Sequence, residues 1–206
     1  MLLGIVTDIH DKVDNLVHAL SKFRHAGVER VICLGDAFNT FRPGEAGAEV
    51  CRLLSSVDAI GVWGNHDAGV SLLPSEHIIK YSDSRVLTYA ATLQGQLILG
   101  DAHFTHVEPW LNPKKLEDLW YSDGPPDTIE KAQRSFDAVP ERYLFMGHFH
   151  RWLVMTPRQR VEWKAEGSLF LKASHQYLIV VAAVFNGWCA LFDTEARELI
   201  PVRCLA

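Results

Sequence analysis

Short apolar runs that end in polar clusters constrain the fold of this chain more than any other feature. The first three runs are Leu2–Thr7, Val31–Leu34 and Ala59–Trp63, and Asp, Asn or His follows closely after each. Short apolar runs of this kind are typical of strands that are buried on both faces. In an open α/β sheet, the carboxyl ends of the strands line one crevice. The sequence therefore predicts that these polar clusters lie together at one edge of a sheet.

Amphipathic helical patterns separate the predicted strands. The apolar positions of the first pattern are Val13, Leu16, Val17, Leu20 and Phe23, and those of the second are Val50, Leu53, Leu54 and Val57. Gly27 stands just past the first pattern, where a helix commonly ends. Alternating strands and helices are typical of right-handed βαβ units, so the first third of the chain predicts a largely parallel sheet.

The rest of the chain indicates a second sheet. We predict a hairpin of Arg85–Leu93 and Gln96–Gly100 that leads into Phe104–His106, followed by an irregular segment over Val107–Asp127. The later predicted elements are a helix at Thr128–Phe136 and strands at Tyr143–Met146, Val161–Lys164, Tyr177–Phe185, Trp188–Asp193 and Leu199–Arg203, with Asn186-Gly187 as a two-residue turn. No linker divides the sequence, so a single domain over residues 1–206 is expected.

Composition narrows the class of protein. A formal net charge of -5 and the absence of a basic stripe argue against a nucleic-acid partner. The four cysteines form no CxxC pair, and no stretch has the length of a membrane span or a signal peptide. We therefore expect a cytoplasmic protein with reduced thiols and no membrane partner; its oligomeric state stays open.

Five clusters carry the residue types of a metal site. They are Asp8-Ile9-His10, Gly35-Asp36, Gly64-Asn65-His66-Asp67, His106, and Gly147-His148-Phe149-His150. Alone, an Asp in such a place is more often a helix cap, and an Asn or Asp after Gly is more often a turn residue. A metal site explains why five predicted strand ends each carry such a residue, whereas separate structural roles would require repeated coincidence.

The donor atoms narrow the choice of metal. Carboxylate, imidazole and amide oxygen without thiolate favour Mn²⁺, with Fe, Zn²⁺, Ni²⁺ or Co²⁺ as alternatives. The candidate ligands are too many for one ion but enough for two if one carboxylate bridges them. Two adjacent ions clamp the attacking and leaving oxygens at phosphorus and acidify a water between them into a hydroxide nucleophile. The sequence thus predicts a metal-dependent hydrolase of small phosphorylated molecules.

The ordered set of clusters from Asp8 to His150 resembles the calcineurin-like metallophosphoesterase superfamily. The C-terminal β segment is similar to that of its small prokaryotic YfcE-like phosphodiesterases and phosphatases. The resemblance implies a four-layer α/β/β/α sandwich with two mixed β-sheets. It also implies a dinuclear site that hydrolyses phosphomonoesters or phosphodiesters of small molecules, including nucleotides.

The same resemblance implies a role for each cluster residue. The first metal would be held by Asp8, His10, Asp36 and His150, and the second by Asp36, Asn65, His106 and His148. Asn65 and His66 would bind the phosphate, and His66 would protonate the leaving group. Asp67 would orient the His66 imidazole. His103 competes with His106 for its place; His-Val-Glu-Pro at 106–109 favours His106.

Some positions depart from the pattern of the superfamily. Asp11 stands where many members have Gly, and Ala37-Phe38-Asn39-Thr40 replaces the Val-Asp-Arg-Gly of the protein phosphatases. The phosphate-binding arginine of that motif is therefore missing, which argues against a phosphoprotein substrate. Arg42 or Arg151 would be its replacement, although a solvated arginine is the commoner case.

Two other functions remain open. Some members of the superfamily keep the fold as interaction proteins, as the retromer subunit does, but they commonly lose catalytic residues that this chain retains. A nuclease would need extra DNA-binding segments, for which only Val107–Val139 offers room. Within that stretch, Trp110, Trp120 and Tyr121 either form an aromatic wall beside the metals or cover the edge of the sheet.

Overall fold

A computed structural model of the chain, which describes residues 1–39, 44–72 and 74–205, contains two mixed β-sheets. The strands of the first sheet are β1 (Leu2–Val6), β2 (Arg30–Cys33), β3 (Ile60–Gly61), β8 (Leu169–Phe170), β10 (Trp188–Asp193) and β11 (Glu198–Arg203). Those of the second are β4 (Leu97–Leu99), β5 (Ala102–Thr105), β6 (Tyr143–Met146), β7 (Leu153–Met155) and β9 (Tyr177–Val180).

Parallel strands form one part of each sheet. The first sheet has the order β3-β2-β1-β10-β11-β8, in which β1, β2 and β3 are parallel and β10 is antiparallel to β1. The second has the order β4-β5-β6-β9-β7, with β5, β6 and β9 parallel. The predicted βαβ order is confirmed, and the carboxyl ends of β1, β2 and β3 share one edge.

Seven α-helices accompany the two sheets in the described part of the chain. They are α1 (Val13–Ala26), α2 (Glu45–Ser55), α3 (Ala68–Ser71), α4 (Glu76–Tyr81), α5 (Ser84–Ala90), α6 (Leu116–Leu119) and α7 (Ile129–Ala138). Gly27 ends α1 in the left-handed conformation, as its position predicts. The Thr128 side chain caps α7 by accepting a hydrogen bond from the Lys131 N–H at 3.3 Å.

Three apolar cores lie between the four layers. One packs α1 and α2 against the first sheet and includes Leu16, Phe23 and Leu54. The central core joins the inner faces of the two sheets, where Ile5 and Phe145 are both fully buried. The third core places α7 on the second sheet. The predicted α/β/β/α sandwich with two mixed β-sheets is therefore confirmed.

The predicted strand at Arg85–Leu93 is wrong, because this stretch forms helix α5. Val86, Tyr89 and Ala90 are buried at helical spacing, and the Asp83 carboxylate accepts the Arg85 N–H at 2.8 Å. The hairpin is instead made by β4 and β5. A β-branched and aromatic composition suggested a strand, whereas the cap at Asp83 and burial against α2 decide for a helix.

The C-terminal predictions need three further corrections. Val161–Lys164 contains no strand, and Tyr177–Phe185 is a strand only as far as Val180. Asn186-Gly187 does not close a hairpin, because β9 and β10 belong to different sheets. A 3₁₀ turn over Val184–Asn186 carries the chain between them, and Gly187 ends it with a left-handed conformation. The polypeptide changes sheets here, and a local turn signal does not reveal that.

All four cysteines are buried and unpaired. No helix in the described part of the chain combines the length and the apolar character that crossing a bilayer requires.

Candidate metal centre

The five polar clusters meet at one edge of the two sheets. Asp8, Asp36 and Asn65 follow β1, β2 and β3, and His106 and His148 follow β5 and β6. Both sheets therefore direct the carboxyl ends of parallel strands toward one site, which is why residues 140 apart in sequence become neighbours. The side chains that the structure gathers there are Asp8, His10, Asp36, Asn65, His66, His106, His148 and His150.

Left-handed backbone conformations concentrate in these clusters. Positive φ angles occur at Asp8 (49°), His10 (46°), Asp36 (52°), His148 (67°) and His150 (54°). A residue other than glycine in such a conformation costs on the order of 1–3 kcal/mol and persists only where the surroundings impose it. Asp and His tolerate this region better than most residues. The strain re-aims their side chains out of the strand direction and toward the common centre.

Two glycines let the loops approach each other closely. A Cβ at Gly64 would overlap the Asp36 carboxylate, and one at Gly147 would overlap the Thr7 hydroxyl. The Thr7 hydroxyl donates to Asp8 Oδ2 at 2.7 Å, and the His148 N–H donates to the same oxygen at 3.0 Å. The Gly in each sequence cluster is thus needed for packing around the carboxylates.

Asp8, His10 and His150 form the first group of donor atoms. Asp8 Oδ1 lies 3.1 Å from His150 Nε2 and 4.0 Å from His10 Nε2, and the two Nε2 atoms are 3.2 Å apart. The ligand atoms of the three residues all fall within 4.8 Å of one another. Asp8 Oδ1 is buried and has no hydrogen bond of good geometry. A buried, unsatisfied carboxylate oxygen facing two imidazoles fits a cation site.

Asp36, His106, Asn65 and His148 form the second group. Asn65 Oδ1 lies 3.0 Å from His106 Nε2 and 3.1 Å from His148 Nδ1. Asp36 Oδ2 lies 3.3 Å from His106 Nε2 and 3.7 Å from His10 Nε2, so this oxygen faces both groups. The location of Asp36 between the groups is the one that a bridging carboxylate requires.

The chemistry of His106 tests whether a metal fits. Its Nδ1 lies 2.7 Å from the Leu34 carbonyl, which only accepts hydrogen bonds, so Nδ1 carries a proton. A metal-binding histidine is commonly oriented in this way, with its other nitrogen free to coordinate. His106 Nε2 faces two oxygen acceptors, from Asp36 and Asn65. An unprotonated Nε2 is repelled by these oxygens, whereas a cation between them is attracted to all three atoms, so the residues fit a metal.

The pKa values of His106 and Asp36 also indicate that a positive charge is stabilised between them. Burial favours the neutral form of His106, but the neighbouring Asp36 carboxylate outweighs it and raises the His106 pKa to about 10. Burial likewise opposes ionisation of Asp36, yet His106 lowers the Asp36 pKa to about 2. Without a metal, a proton on His106 supplies the cation that the site requires.

His66 lies beside the ligand groups, on the side open to solvent. Its ring is 4.9 Å from the His10 ring, and its Nδ1 lies 3.0 Å from the Asn39 carbonyl. The His66 backbone N–H donates to Asp36 Oδ1 at 2.9 Å. Its side chain is partly exposed in a cavity of about 390 Å³, where it can reach a ligand.

Asp67 does not contact the His66 imidazole as predicted. Its Oδ2 accepts the N–H groups of Asp36 at 2.6 Å and Gly64 at 2.9 Å, and its Oδ1 accepts that of Ala37 at 3.0 Å. Burial, and then the Asp36 charge, raise the Asp67 pKa to about 7. Asp67 therefore ties together the loops after β2 and β3, and the Asn39 carbonyl holds His66.

The competing histidine, His103, and one candidate arginine, Arg151, lie outside the donor groups. His103 is buried with its Nδ1 3.3 Å from Glu141 Oε2, outside the donor groups that His106 joins. Arg151 is exposed and is not among the described residues that line the cavity. Arg42 falls outside the described residues.

Aromatic and backbone groups complete the cavity. Its lining residues are His10, Asp36, Asn39, Asn65, His66, Trp120, His148, His150 and Phe185. Sequence reasoning missed Asn39 and Phe185, whose ring lies 6.0 Å from that of His10. Asn39 stands in the segment that departs from the phosphatase motif, and Phe185 was predicted to end a strand, so the sequence marks neither as a cavity residue. Asp11, noted as a departure, accepts the Asn39 N–H at 3.3 Å.

Comparison with known proteins identifies the family. Residues 1–180 match the calcineurin-like phosphoesterase superfamily domain. The chain belongs to this superfamily. An uncharacterized protein of Methanocaldococcus jannaschii is 24% identical over 198 residues, which are 86% of this chain and 74% of that protein.

Solved structures of the superfamily share the fold. A metallophosphoesterase from Sphaerobacter thermophilus is 23% identical, with a TM-score of 0.77 over 100% of this chain and 88% of that one. The phosphoesterase YfcE from E. coli is 17% identical, with a TM-score of 0.51 over 100% of both chains. The metallophosphoesterase architecture and the similarity to YfcE that the sequence predicts are both confirmed.

Proposed function

We propose that this chain hydrolyses phosphomonoesters or phosphodiesters of small molecules with two bound divalent metal ions. Mn²⁺ is the metal that we favour. The carrying observation is the position of Asp36 Oδ2, which faces His106 Nε2 at 3.3 Å and His10 Nε2 at 3.7 Å. One carboxylate oxygen directed toward two donor groups is the arrangement that a dinuclear site needs. Membership of the phosphoesterase superfamily supports the reaction type.

The donor groups divide between the two ions. The first ion would be held by Asp8, His10, Asp36 and His150, and the second by Asp36, Asn65, His106 and His148. When bound, two such ions lower the pKa of a water to near neutrality and stabilise the charge that develops on the phosphoryl oxygens. The absence of thiolate among these donors favours Mn²⁺, Fe or another borderline ion over a structural zinc.

His66 supplies the acid in this proposal. Because the Asn39 carbonyl can only accept, the His66 Nδ1 carries a hydrogen that is committed to that bond. The Nε2 atom of the protonated ring then holds the transferable proton and gives it to the oxygen of the leaving alcohol. Asn65 and His66, which line the cavity together, are proposed to contact the phosphate.

The test uses metal-depleted protein to which Mn²⁺, Fe²⁺, Zn²⁺, Ni²⁺ or Co²⁺ is added back. We expect release of p-nitrophenol from p-nitrophenyl phosphate or its bis ester, and two equivalents of bound metal. Asp36→Asn should lose both, because the amide cannot replace a bridging carboxylate. Asp127→Asn, an exposed change, is the control. Absence of turnover with all five metals would sink the proposal, and absence of metal binding would favour an interaction protein.

A further inference from the structure

Trp120 presents a large apolar ring to the cavity. Its ring centroid lies 5.2 Å from that of His66, and 49% of the residue is exposed. Half-exposed tryptophan is unfavourable in water, since a buried aromatic ring gains free energy from its area. Because Trp120 also lines the cavity, its ring offers an apolar face to a ligand bound there.

The segment that precedes Trp120 is fixed to the buried core of the protein. Trp120 follows α6, and its backbone N–H donates to the Leu116 carbonyl at 3.0 Å. The preceding Leu119 is fully buried. Further back, the Trp63 indole N–H donates to the Pro113 carbonyl at 2.8 Å. The ring is therefore carried on a segment fixed to the core, a rigid support of the kind that ligand sites use.

The neighbouring Trp110 is committed to internal packing. The Arg134 guanidinium lies 4.5 Å from its ring centre, and its indole N–H donates to Glu108 at 3.1 Å. The Tyr121 ring packs against it at 5.6 Å. Of the aromatic residues in this irregular segment, Trp120 is the one that lines the cavity.

We infer that Trp120 is a platform for the base of a nucleoside phosphate, whose P–O bond is hydrolysed so that the nucleoside departs as an alcohol. This inference rests on the proposed function and names its substrate class. If His66 protonates the leaving oxygen, the departing group lies beside His66, and Trp120 is the ring in contact there. A flat base gains stacking energy on indole, whereas a bare sugar presents no π-face. The cavity of about 390 Å³ is within the range of small-ligand sites.

The experiment compares two ligands that differ only in the base. Non-hydrolysable phosphonate analogues of AMP and of ribose 5-phosphate are titrated calorimetrically into the Mn²⁺-loaded protein. We expect the AMP analogue to bind about 5- to 150-fold more tightly, the range that stacking of one base gives. Trp120→Leu should reduce this preference to within about twofold, the size of a negligible stacking difference. Phe170→Leu is the matched control, because Phe170 is 67% exposed and lies outside the cavity.

A second measurement compares the hydrolysis rates of the two substrates. The kcat/KM for AMP relative to ribose 5-phosphate should follow the binding preference, since both substrates release the same kind of primary alcohol. Equal binding of the two analogues, no binding of either, or a base preference that survives Trp120→Leu would overturn the inference. These results are separate from failure of the hydrolase proposal, which is absence of turnover with every metal while the analogues still bind.

Discussion

The Asn39 carbonyl oxygen lies 3.0 Å from His66 Nδ1 and accepts its hydrogen. This bond fixes which nitrogen of the imidazole faces the cavity, and it does so without a carboxylate. The group that orients the His66 imidazole is therefore Asn39 and not Asp67, whose oxygens accept backbone N–H groups instead.

Replacement of His66 should depend on the leaving group. His66→Ala is expected to lower kcat for phenyl phosphate by about 10²–10⁴-fold, the usual contribution of a general acid. The effect on p-nitrophenyl phosphate should be far smaller, because p-nitrophenolate departs without a proton. Steady-state rates at saturating Mn²⁺ measure both. His25→Ala, an exposed histidine on α1, is the control. An equal loss for the two substrates would contradict the role as an acid.

Asp67→Asn should destabilise the site by loosening two loops. The amide keeps one acceptor oxygen, but its NH₂ group would face the Ala37 N–H and leave that donor unsatisfied. Loss of such a buried hydrogen bond costs about 1–3 kcal/mol in the free energy of unfolding. The Tm should fall by roughly 2–4 °C for each kcal/mol, and Mn²⁺ affinity should fall because the Asp36 backbone is held by the same carboxylate. Thermal scans and Mn²⁺ titrations measure the two effects, with Asp127→Asn as the control. An unchanged Tm would contradict the role of Asp67 in joining the two loops.

Much of the candidate site could be predicted because its residues follow local sequence patterns. Asp8, Asp36 and Asn65 each follow a short apolar run, and parallel strands must bring their carboxyl ends to one edge. The Asp67 contacts could not be predicted in this way. Any carboxylate beside His66 in sequence could orient it, and only the folded loops show that three backbone N–H groups reach Asp67 first.

Errors in the fold had a common physical origin. Ser84–Ala90 contains Val86 and Tyr89, which favour strands, but packing against α2 decides for a helix. Tyr177–Val180 and Trp188–Asp193 belong to different sheets, so the turn chemistry of Asn186-Gly187 could not indicate how the strands pair. In both places, contacts between distant parts of the chain outweigh local preference.

Metal stoichiometry should decide between the two histidines near β5. His106→Gln is expected to bind one equivalent of Mn²⁺ instead of two, because His106 Nε2 faces Asp36 and Asn65. His103→Gln should keep two equivalents, since His103 Nδ1 is directed toward Glu141. Metal analysis of gel-filtered protein measures the ratio, and circular dichroism verifies that each variant is folded. Loss of an ion from His103→Gln with two ions retained in His106→Gln would reverse the assignment.

Asp11 should act on the reaction through Asn39. Its Oδ2 accepts the Asn39 N–H at 3.3 Å, and the carbonyl of the same residue holds His66. Asp11 has φ 62°, so Gly is the replacement that removes the side chain without adding backbone strain. Asp11→Gly is expected to lower kcat for phenyl phosphate about three- to tenfold, which corresponds to about 0.7–1.4 kcal/mol, the usual net contribution of one hydrogen bond.

The pattern of effects separates this positioning role from general damage. Turnover of p-nitrophenyl phosphate by Asp11→Gly should be nearly unchanged, and its Mn²⁺ stoichiometry should remain two. Asp11→Asn keeps an acceptor oxygen and tolerates the left-handed conformation, so it should restore most of the phenyl phosphate activity. If Asp11→Gly slows both substrates alike, or if Asp11→Asn is as impaired as Asp11→Gly, the hydrogen bond to Asn39 does not position His66.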